Sequence, residues 1–208
     1  MPRQNRVTPF SSIVAVSARG TLTGNRGCLH DDQQNIRRQF QGERWIICLL
    51  DFKGRKRKLM TPGHYTELFF LDEATALAAG HRPCAECQRE RFTRFRELWA
   101  AANPELAGAS RPAATLMDAA IHRERTAPID DGNRSCISIK NLPDGVFVTD
   151  DGRTAYLIRS GTPLRWSPGG YGVPAAPLHY PVQVLTPGSI VRTLAAGYSA
   201  AIHRSALL

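Results

Sequence analysis

Apolar and polar positions in the first third of the chain follow strand-like patterns. Residues 12–18 and 66–71 are predicted as strands, and "RWIICLLDF" at residues 44–52 is a continuous apolar run typical of a buried strand. The next segment, residues 53–58, opens with a Lys-Gly pair that predicts a turn into a second strand, and so a basic hairpin.

Helical signals follow. Asp72 is a predicted N-cap for a short alanine-rich helix, and Gly80 is placed to end it in a left-handed conformation. A second helix is predicted for residues 88–102, because its large apolar side chains recur every three or four residues. These side chains are Phe92, Phe95, Leu98 and Trp99.

The second half of the chain is predicted to contain a linker, two helices and several short strands. Residues 103–114 are rich in Pro, Gly, Ala and Ser and indicate a linker, and residues 115–125 a helix. Strands are predicted at residues 145–149, 154–159 and 181–185, and residues 162–174 are predicted to form a loop. A last helix is predicted to begin at Thr186-Pro187. The pattern predicts an α+β fold in two parts: a basic domain at residues 1–104 and a β-rich domain with flanking helices at residues 105–208.

Composition limits the class of protein. With 208 residues and a 42% hydrophobic fraction, the chain can bury a core, and no apolar run approaches the length of a membrane span. The short apolar run near the N-terminus is interrupted by serines, so it reads as a strand rather than a signal peptide. Five cysteines, an odd number and mostly scattered, argue against a disulfide framework. We therefore expect a cytoplasmic protein.

The net charge of +9 is unevenly distributed. Residues 1–104 carry 17 Lys and Arg against 10 Asp and Glu, whereas residues 105–208 carry 10 against 8. The excess in the first half predicts an anionic partner, with nucleic acid the first choice. The alternative is an ordinary solvated basic surface.

The strongest chemical signal is the pair Cys84 and Cys87 in "GHRPCAECQRERF". This C-x₂-C spacing lets one tight turn aim two sulfurs at a single ion, and the helix that follows stabilises thiolates. A redox pair or two inert thiols are the alternatives. A thioredoxin-type pair normally follows a strand directly, whereas this one is expected after a helix and a glycine turn, so the motif favours zinc.

A closed zinc site needs two more ligands. Cys28 and His30 in "GNRGCLHDD" share a face if that stretch is extended, and turn-forming residues surround them. Asp32 and His81 are weaker candidates for the fourth position. Cys48 lies inside the apolar strand and is expected to be a core residue, and Cys136 is isolated.

The stretch "FFLDEATALAAGHRPCAEC" resembles the zinc-binding module of Ada-type DNA-repair proteins and their Ada-like relatives, and "TGNRGCLH" resembles the opening of the Ada-like relatives. The resemblance covers about residues 20–90. It implies a small zinc-stabilised β-sheet domain linked to DNA transactions, with Cys84, Cys87 and His30 as ligands. Four residues after His30, where Ada has a cysteine, this chain has Gln34, so neither the fourth ligand nor methyl transfer to a cysteine carries over. The whole chain is also similar to uncharacterised bacterial proteins.

Five cations within six residues form a candidate phosphate-binding segment. A basic hairpin of this kind can neutralise several phosphates, and Tyr65 lies close enough in sequence to stack on a base. The alternative is an exposed sheet edge that lysines protect from aggregation. The cations are Lys53, Arg55, Lys56, Arg57 and Lys58.

A second candidate for chemistry lies in "MDAAIHRER". Asp118, His122 and Arg125 share one face of the predicted helix, where they would serve as a carboxylate, a base and a group that binds an anion.

The sequence as a whole predicts a zinc-containing nucleic-acid-binding protein, with DNA the expected partner. An enzyme that acts on a small or nucleotide-like substrate through zinc or Asp118 and His122 is the alternative. A module that grips an acidic protein partner is the third possibility.

Overall fold

The computed structural model describes residues 1–55, 58–127, 138–174 and 176–207. Six short strands form a mixed first sheet in which β1 and β5, and β4 and β6, run parallel. The strand order is β2-β1-β5-β3-β4-β6. The strands are β1 (Gln4–Val7), β2 (Ile13–Ala15), β3 (Leu22–Asn25), β4 (Ile46–Leu49), β5 (Leu68–Phe70) and β6 (Arg82–Pro83).

The two faces of this sheet differ. Ile47, Leu68 and Phe70 are fully buried on the core face. On the other face, Thr23 of β3 pairs with Cys48 of β4 and with Phe69 of β5, and all three side chains remain partly exposed. Since side chains alternate along a strand, the apolar core on one side leaves a row of Phe69, Thr23 and Cys48 on the other.

Five strands form an antiparallel second sheet with the order β10-β9-β8-β7-β11. They are β7 (Phe147–Thr149), β8 (Tyr156–Arg159), β9 (Thr162–Ser167), β10 (Gly170–Gly172) and β11 (Gln183–Val184). The α-helices are α1 (Glu73–Ala78), α2 (Arg89–Ala102), α3 (Pro104–Ala107), α4 (Ala114–Thr126) and α5 (Gly188–Ala195). The α+β class predicted from the sequence is confirmed.

One hydrophobic cluster draws on both halves of the chain. It includes Phe95 and Trp99 of α2, Ile121 of α4, Val148 of β7 and Ile190 of α5, together with the core face of the first sheet. A second cluster packs one side of α1 against the second sheet. The division at residue 104 stays a prediction, and the described residues on its two sides share a core.

The short helix α1 is tied to the C-terminal part by its two acidic residues. Asp72 accepts a hydrogen bond from Thr75 N at 2.8 Å, which caps the helix, and another from the hydroxyl of Tyr171 at 2.8 Å. Glu73, 1% exposed, accepts from the hydroxyl of Tyr198 at 2.6 Å and pairs with Arg91. Buried carboxylates need such partners because burial without them costs several kcal/mol.

Gly80 ends α1 as the sequence predicted. Its φ is +84°, and the amide of His81 donates to the carbonyl of Ala76 at 3.0 Å, which closes a Schellman turn. A Cβ at this position would also lie 2.9 Å from Cγ of Arg125. The glycine thus turns the chain directly into β6, which leads to Cys84.

A buried ion pair joins β6 to α4. Two of the three side-chain nitrogens of Arg82, Nε and Nη2, donate to the Asp118 carboxylate at 2.8 and 2.9 Å, and the two side chains are 4% and 5% exposed. Arg82 also stacks on Phe92 of α2, with its guanidinium carbon 5.0 Å from the ring centre. Because β6 precedes the cysteine pair directly, this ion pair fixes the approach to the pair.

Three sequence predictions need correction. Residues 162–174, expected as loop, form the hairpin β9–β10, and the expected linker contains α3, whose Ala107 is buried. Thr186 was expected to open the last helix, but that helix begins at Gly188. The Thr186 hydroxyl instead accepts from Phe147 N at 2.9 Å and holds the segment after β11 against β7. Ser189 N at the start of α5 donates to the Glu124 carboxylate at 3.0 Å, so α4 supplies the cap.

The predicted basic hairpin is also corrected where the structure describes it. Lys53 and Gly54 form the expected turn, but Arg55 and Lys58 do not continue into a strand. Lys56 and Arg57 lie outside the described residues. Among the helices of the described residues, none is long and apolar enough to cross a lipid bilayer.

Replacing Asp118 by alanine is expected to lower the free energy of unfolding by about 3–5 kcal/mol, because the buried Arg82 guanidinium then loses its counter-charge. Urea unfolding followed by tryptophan fluorescence measures the change. Glu97→Ala is the matched control, since its ion pair with Arg111 is exposed and contributes at most about 1 kcal/mol. Equal losses in the two variants would contradict this role for Asp118.

Candidate metal centre

Three cysteines meet beside the open face of the first sheet. The Sγ atoms of Cys48, Cys84 and Cys87 all lie within 4.8 Å of one another. Three thiolates bound to one tetrahedral zinc ion at about 2.3 Å are separated by about 3.8 Å, so a small closure of the cluster matches that geometry. The cluster is therefore a set of residues that could hold a metal ion.

Backbone pairing positions each sulfur. The amide of Cys84 donates to the carbonyl of Ile47 at 2.9 Å and continues the β4–β6 pairing, which brings Cys84 next to Cys48. A tight turn then carries the chain to Cys87, and the Gln88 amide donates to the Cys84 carbonyl at 3.1 Å. The side-chain amide of Gln88 donates to Ile47 O at 2.8 Å and fastens the end of the turn to β4.

Hydrogen bonds stabilise negative charge on Cys84. The Cys48 thiol is the largest influence: by donating to Cys84 it lowers the pKa of the Cys84 thiol, and backbone amides of the turn add to this effect. The Glu86 amide lies 3.4 Å from the Cys84 sulfur. These donors outweigh burial and bring the pKa of Cys84 to about 5.

The other two thiols are shifted in the opposite direction. The hydrogen bond to Cys84 raises the pKa of Cys48, and burial raises it further. Burial also raises the pKa of Cys87, although the backbone of Leu49 opposes this. Near neutral pH the metal-free cluster therefore holds one thiolate and two protonated thiols, and an ion that binds all three sulfurs displaces two protons.

The three cysteines line a pocket of about 420 Å³. Its floor is the row of Phe69, Thr23 and Cys48 on the first sheet, and the segment after β4 contributes Phe52 to the wall. Such a volume lies in the range of small-molecule sites. The three cysteines therefore border a pocket large enough for a small ligand.

The pocket also carries charged groups of both signs. Arg44 and Arg55 contribute the cations, and Glu67 and Glu86 the anions. Arg55 donates to the Glu86 carboxylate at 2.6 Å, and Glu67 accepts from the Met60 amide at 2.8 Å. Among the described residues Arg44 is exposed and forms no ion pair, so it is the cation of the pocket that can take an anionic ligand.

The structure does not bring Cys28 or His30 into the cysteine cluster. Nδ1 of His30 lies 2.6 Å from the hydroxyl of Thr66, and Nε2 lies 3.3 Å from the carbonyl oxygen of Thr61. The sulfur of Cys28 lies 3.8 Å from the carbonyl oxygen of His30. Both side chains have local partners, and their assignment as ligands stays a prediction.

The candidates for the fourth position are also separate from the cluster. His81 is fully buried between Trp45 and Phe70, and burial followed by the charge of Arg26 lowers its pKa well below the usual value. Asp32 is exposed and belongs to no group of metal-ligating side chains in the part of the chain that the structure describes. Cys136 lies outside the described residues.

Cys48, expected to be a core residue, is instead the third member of the cluster. Ile47 is the buried residue of this strand, and Cys48, on the opposite face, is partly exposed. The continuous apolar run of residues 44–52 concealed this alternation. The polar sequence Thr23-Gly24-Asn25 on the neighbouring strand was the available signal, because it indicates one open face.

Asp118 and His122 have separate partners in the structure, and a catalytic role for Asp118, His122 and Arg125 stays a prediction. The Asp118 carboxylate is taken by Arg82 rather than by His122, and burial raises its pKa although Arg82 opposes the shift. The His122 ring packs edge-on against Phe40 and Trp45, and burial lowers its pKa. These residues stabilise the junction of α4 with the first sheet.

Two described residues of the basic segment, Lys53 and Arg55, lie on the ring of Phe52, which lines the pocket. The Lys53 ammonium lies 5.2 Å and the Arg55 guanidinium 5.3 Å from the Phe52 ring centre, and Arg55 reaches Glu86 inside the C-x₂-C turn. The basic segment and the cysteine cluster are therefore neighbours. Their combined role in binding nucleic acid stays a prediction.

No known protein family, curated protein or solved structure matches the chain. The resemblance to the Ada-type module therefore stays an expectation, and the function has to be argued from the geometry of the cluster and its pocket.

In metal-free protein, we expect Cys84 to be alkylated by iodoacetamide with a pH midpoint near 5, because its lowered pKa leaves the thiolate populated above that pH. An ordinary thiol has its midpoint at about pH 8.5. Peptide mass spectrometry at each pH measures the labelled fraction at residue 84.

Cys48→Ala should move this midpoint upward, since the thiol that donates to Cys84 is removed. Glutathione in the same reaction serves as the unperturbed reference. A Cys84 midpoint close to that of glutathione, or one unaffected by Cys48→Ala, would show that the hydrogen bond between the two cysteines is absent.

Proposed function

We propose that this chain is a zinc protein in which Cys48, Cys84 and Cys87 hold the ion, and that the remaining coordination position faces the pocket, where a small or nucleotide-like substrate binds. The observation that carries the proposal is that all three sulfurs line one pocket. Zinc sites with four protein ligands are structural, whereas catalytic sites keep one position for water or substrate.

Zinc is the metal that suits this ligand set best. Thiolate ligands select soft or borderline ions, and a C-x₂-C turn with backbone amides directed at its sulfurs is typical of zinc sites. When bound, zinc lowers the pKa of a coordinated water or polarises a substrate oxygen. The tri-thiolate set supports zinc by the chemistry of its donors and by their proximity, since the three sulfurs lie within 4.8 Å of one another.

The chain's own residues supply the rest of the site. Glu67 is 8% exposed, lines the pocket and has one carboxylate oxygen fixed by the Met60 amide, which makes it the candidate proton acceptor. The Arg55–Glu86 ion pair closes the side of the pocket next to Cys87. A substrate seated there would be held between this ion pair and the sheet.

Nucleic-acid binding is the second candidate, and the position of the basic segment favours it. Arg44 and Arg55 line the pocket, and Lys53 adjoins it on the Phe52 ring. Cations around an opening with partly exposed aromatic rings suit a single strand, because its phosphates bind the cations and its bases stack on the rings. If nucleic acid is the substrate, the basic segment binds the strand and places one nucleotide in the pocket beside the metal centre.

Purified protein is expected to contain about one zinc ion per chain, and Ser substitution at Cys48, Cys84 or Cys87 should abolish or greatly reduce it, since each change removes one of three ligands. Elemental analysis measures the content. Cys28→Ser and His30→Ala are the controls and should retain zinc. Loss of zinc in these controls, with retention in Cys48→Ser, would refute the tri-thiolate assignment.

Cobalt substitution tests the open position. Protein loaded with Co²⁺ should show thiolate-to-metal absorption bands, and added imidazole should shift them by entering the fourth position. Bands that imidazole leaves unchanged would indicate a fourth protein ligand and would overturn the catalytic form of the proposal.

Binding to single-stranded DNA is expected to weaken steeply with salt, because phosphate contacts release counterions. Fluorescence anisotropy over a salt series gives the slope, and replacing both Lys56 and Arg57 by Gln should flatten it. Gln substitution of Arg123 and Arg153, two cations remote in sequence from the pocket segment, provides a control of equal charge. Absence of binding at low salt would end the nucleic-acid candidate.

A further inference from the structure

We infer that the pocket binds a nucleoside monophosphate unit, with the phosphate on Arg44 and the base against the aromatic side chains beside the cysteine cluster. This inference rests on the proposed function and specifies its substrate class. It follows from three features of the pocket: its aromatic surfaces, its charge distribution and the position of the thiols.

The aromatic surfaces come from three separate segments. Phe69 lies on the sheet floor, Phe52 on the segment after β4, and Tyr65 before β5. The Arg6 guanidinium lies 4.8 Å from the ring centre of Phe69, which holds this half-buried ring in place. Aromatic side chains that converge on one pocket favour a flat ring, because every base presents a π-face for stacking.

The charge distribution of the pocket favours a ligand with a single anionic group, bound at Arg44. Glu86 is paired with Arg55, and the Glu67 carboxylate accepts from a backbone amide. Arg44, which begins the approach to β4, is exposed and without an ion pair among the described residues. Its planar guanidinium matches a phosphate in two parallel hydrogen bonds.

The thiols set the orientation of the ligand. Cys48 lies two residues before Leu50 and four before Phe52, so the sulfurs and the aromatic wall border the same cavity of about 420 Å³. A three-thiolate zinc centre carries a net negative charge, which repels the phosphate and leaves that end of the pocket to a neutral base. A base ring nitrogen or carbonyl oxygen is a suitable donor for the open position.

The test is calorimetric titration of the full chain with adenosine and cytidine 5′-monophosphates, their nucleosides and inorganic phosphate. At least one nucleotide should bind more tightly than its nucleoside and than phosphate. Arg44→Gln should weaken nucleotide binding about tenfold and leave nucleoside binding unchanged, since a charged hydrogen bond is removed. Arg38→Gln, at an exposed arginine outside the pocket, is the control.

The source of the nucleotide is resolved with a 5′-phosphorylated tetranucleotide. Tighter binding of the tetranucleotide identifies a strand end as the ligand, and equal or weaker binding identifies the free nucleotide. Phosphate that binds as tightly as every nucleotide, or no binding of any nucleotide at millimolar concentration, overturns the inference. Zinc content, measured on the same samples, separates this failure from that of the proposed function, which a zinc-free protein would refute.

Discussion

The carbonyl oxygen of Ile47 is the point on which the cysteine cluster depends. It accepts hydrogen bonds from the Cys84 amide and from the Gln88 side chain, which lie at the two ends of the C-x₂-C turn. Cys48 is the next residue along the same strand. A single peptide group therefore sets the distance between Cys48 and the pair. A change in the register of β6 on β4 would move Cys84 away from Cys48, which the pairing of β4 with β3 holds in place.

The support for this contact comes from parts of the chain far from the cysteines. Gly80 lets α1 end in a left-handed turn, and the Arg82–Asp118 ion pair holds β6 against α4. Asp72 and Glu73 then link α1 to the C-terminal strands and tail. The helix that first resembled an enzyme's catalytic face thus serves the site indirectly, because its carboxylate neutralises the arginine next to the cysteine turn.

Local signals in the sequence were sufficient for much of the fold. The Asp72 cap, the Gly80 turn, the apolar stripe of α2 and the strands around residues 46–49 and 68–70 were all predicted, since each depends on neighbouring residues. The β9–β10 hairpin was missed because its proline and glycines indicate loops, and its strands are stabilised by pairing within the second sheet and by the contact of Tyr171 N with Ser205. Partners distant in sequence leave no local pattern.

The cysteine cluster also could not be predicted in full, because one of its members is distant in sequence from the other two. Cys84 and Cys87 could be recognised because their spacing is itself the signal, but Cys48 is 36 positions away from Cys84 and lies among the uninterrupted apolar residues 45–50. Its identity as a partner depends on which strand pairs with β6. His30 and Cys28 were attractive for their residue types, yet both side chains have nearer partners.

The electrostatics of the centre explain why thiolates are tolerated beside a protein core. Backbone amides, the start of α2 and the cations Arg44 and Arg55 lie on one side of the cluster or its pocket, while Ile47 and the core lie on the other. Negative charge on the sulfurs is thus stabilised by backbone dipoles beside the core and by the Arg55 guanidinium on the pocket side. A closed structural site would need neither the pocket nor an arginine without an ion pair among the described residues, so these two features support the proposal of a centre that receives a ligand over one that only stabilises the fold.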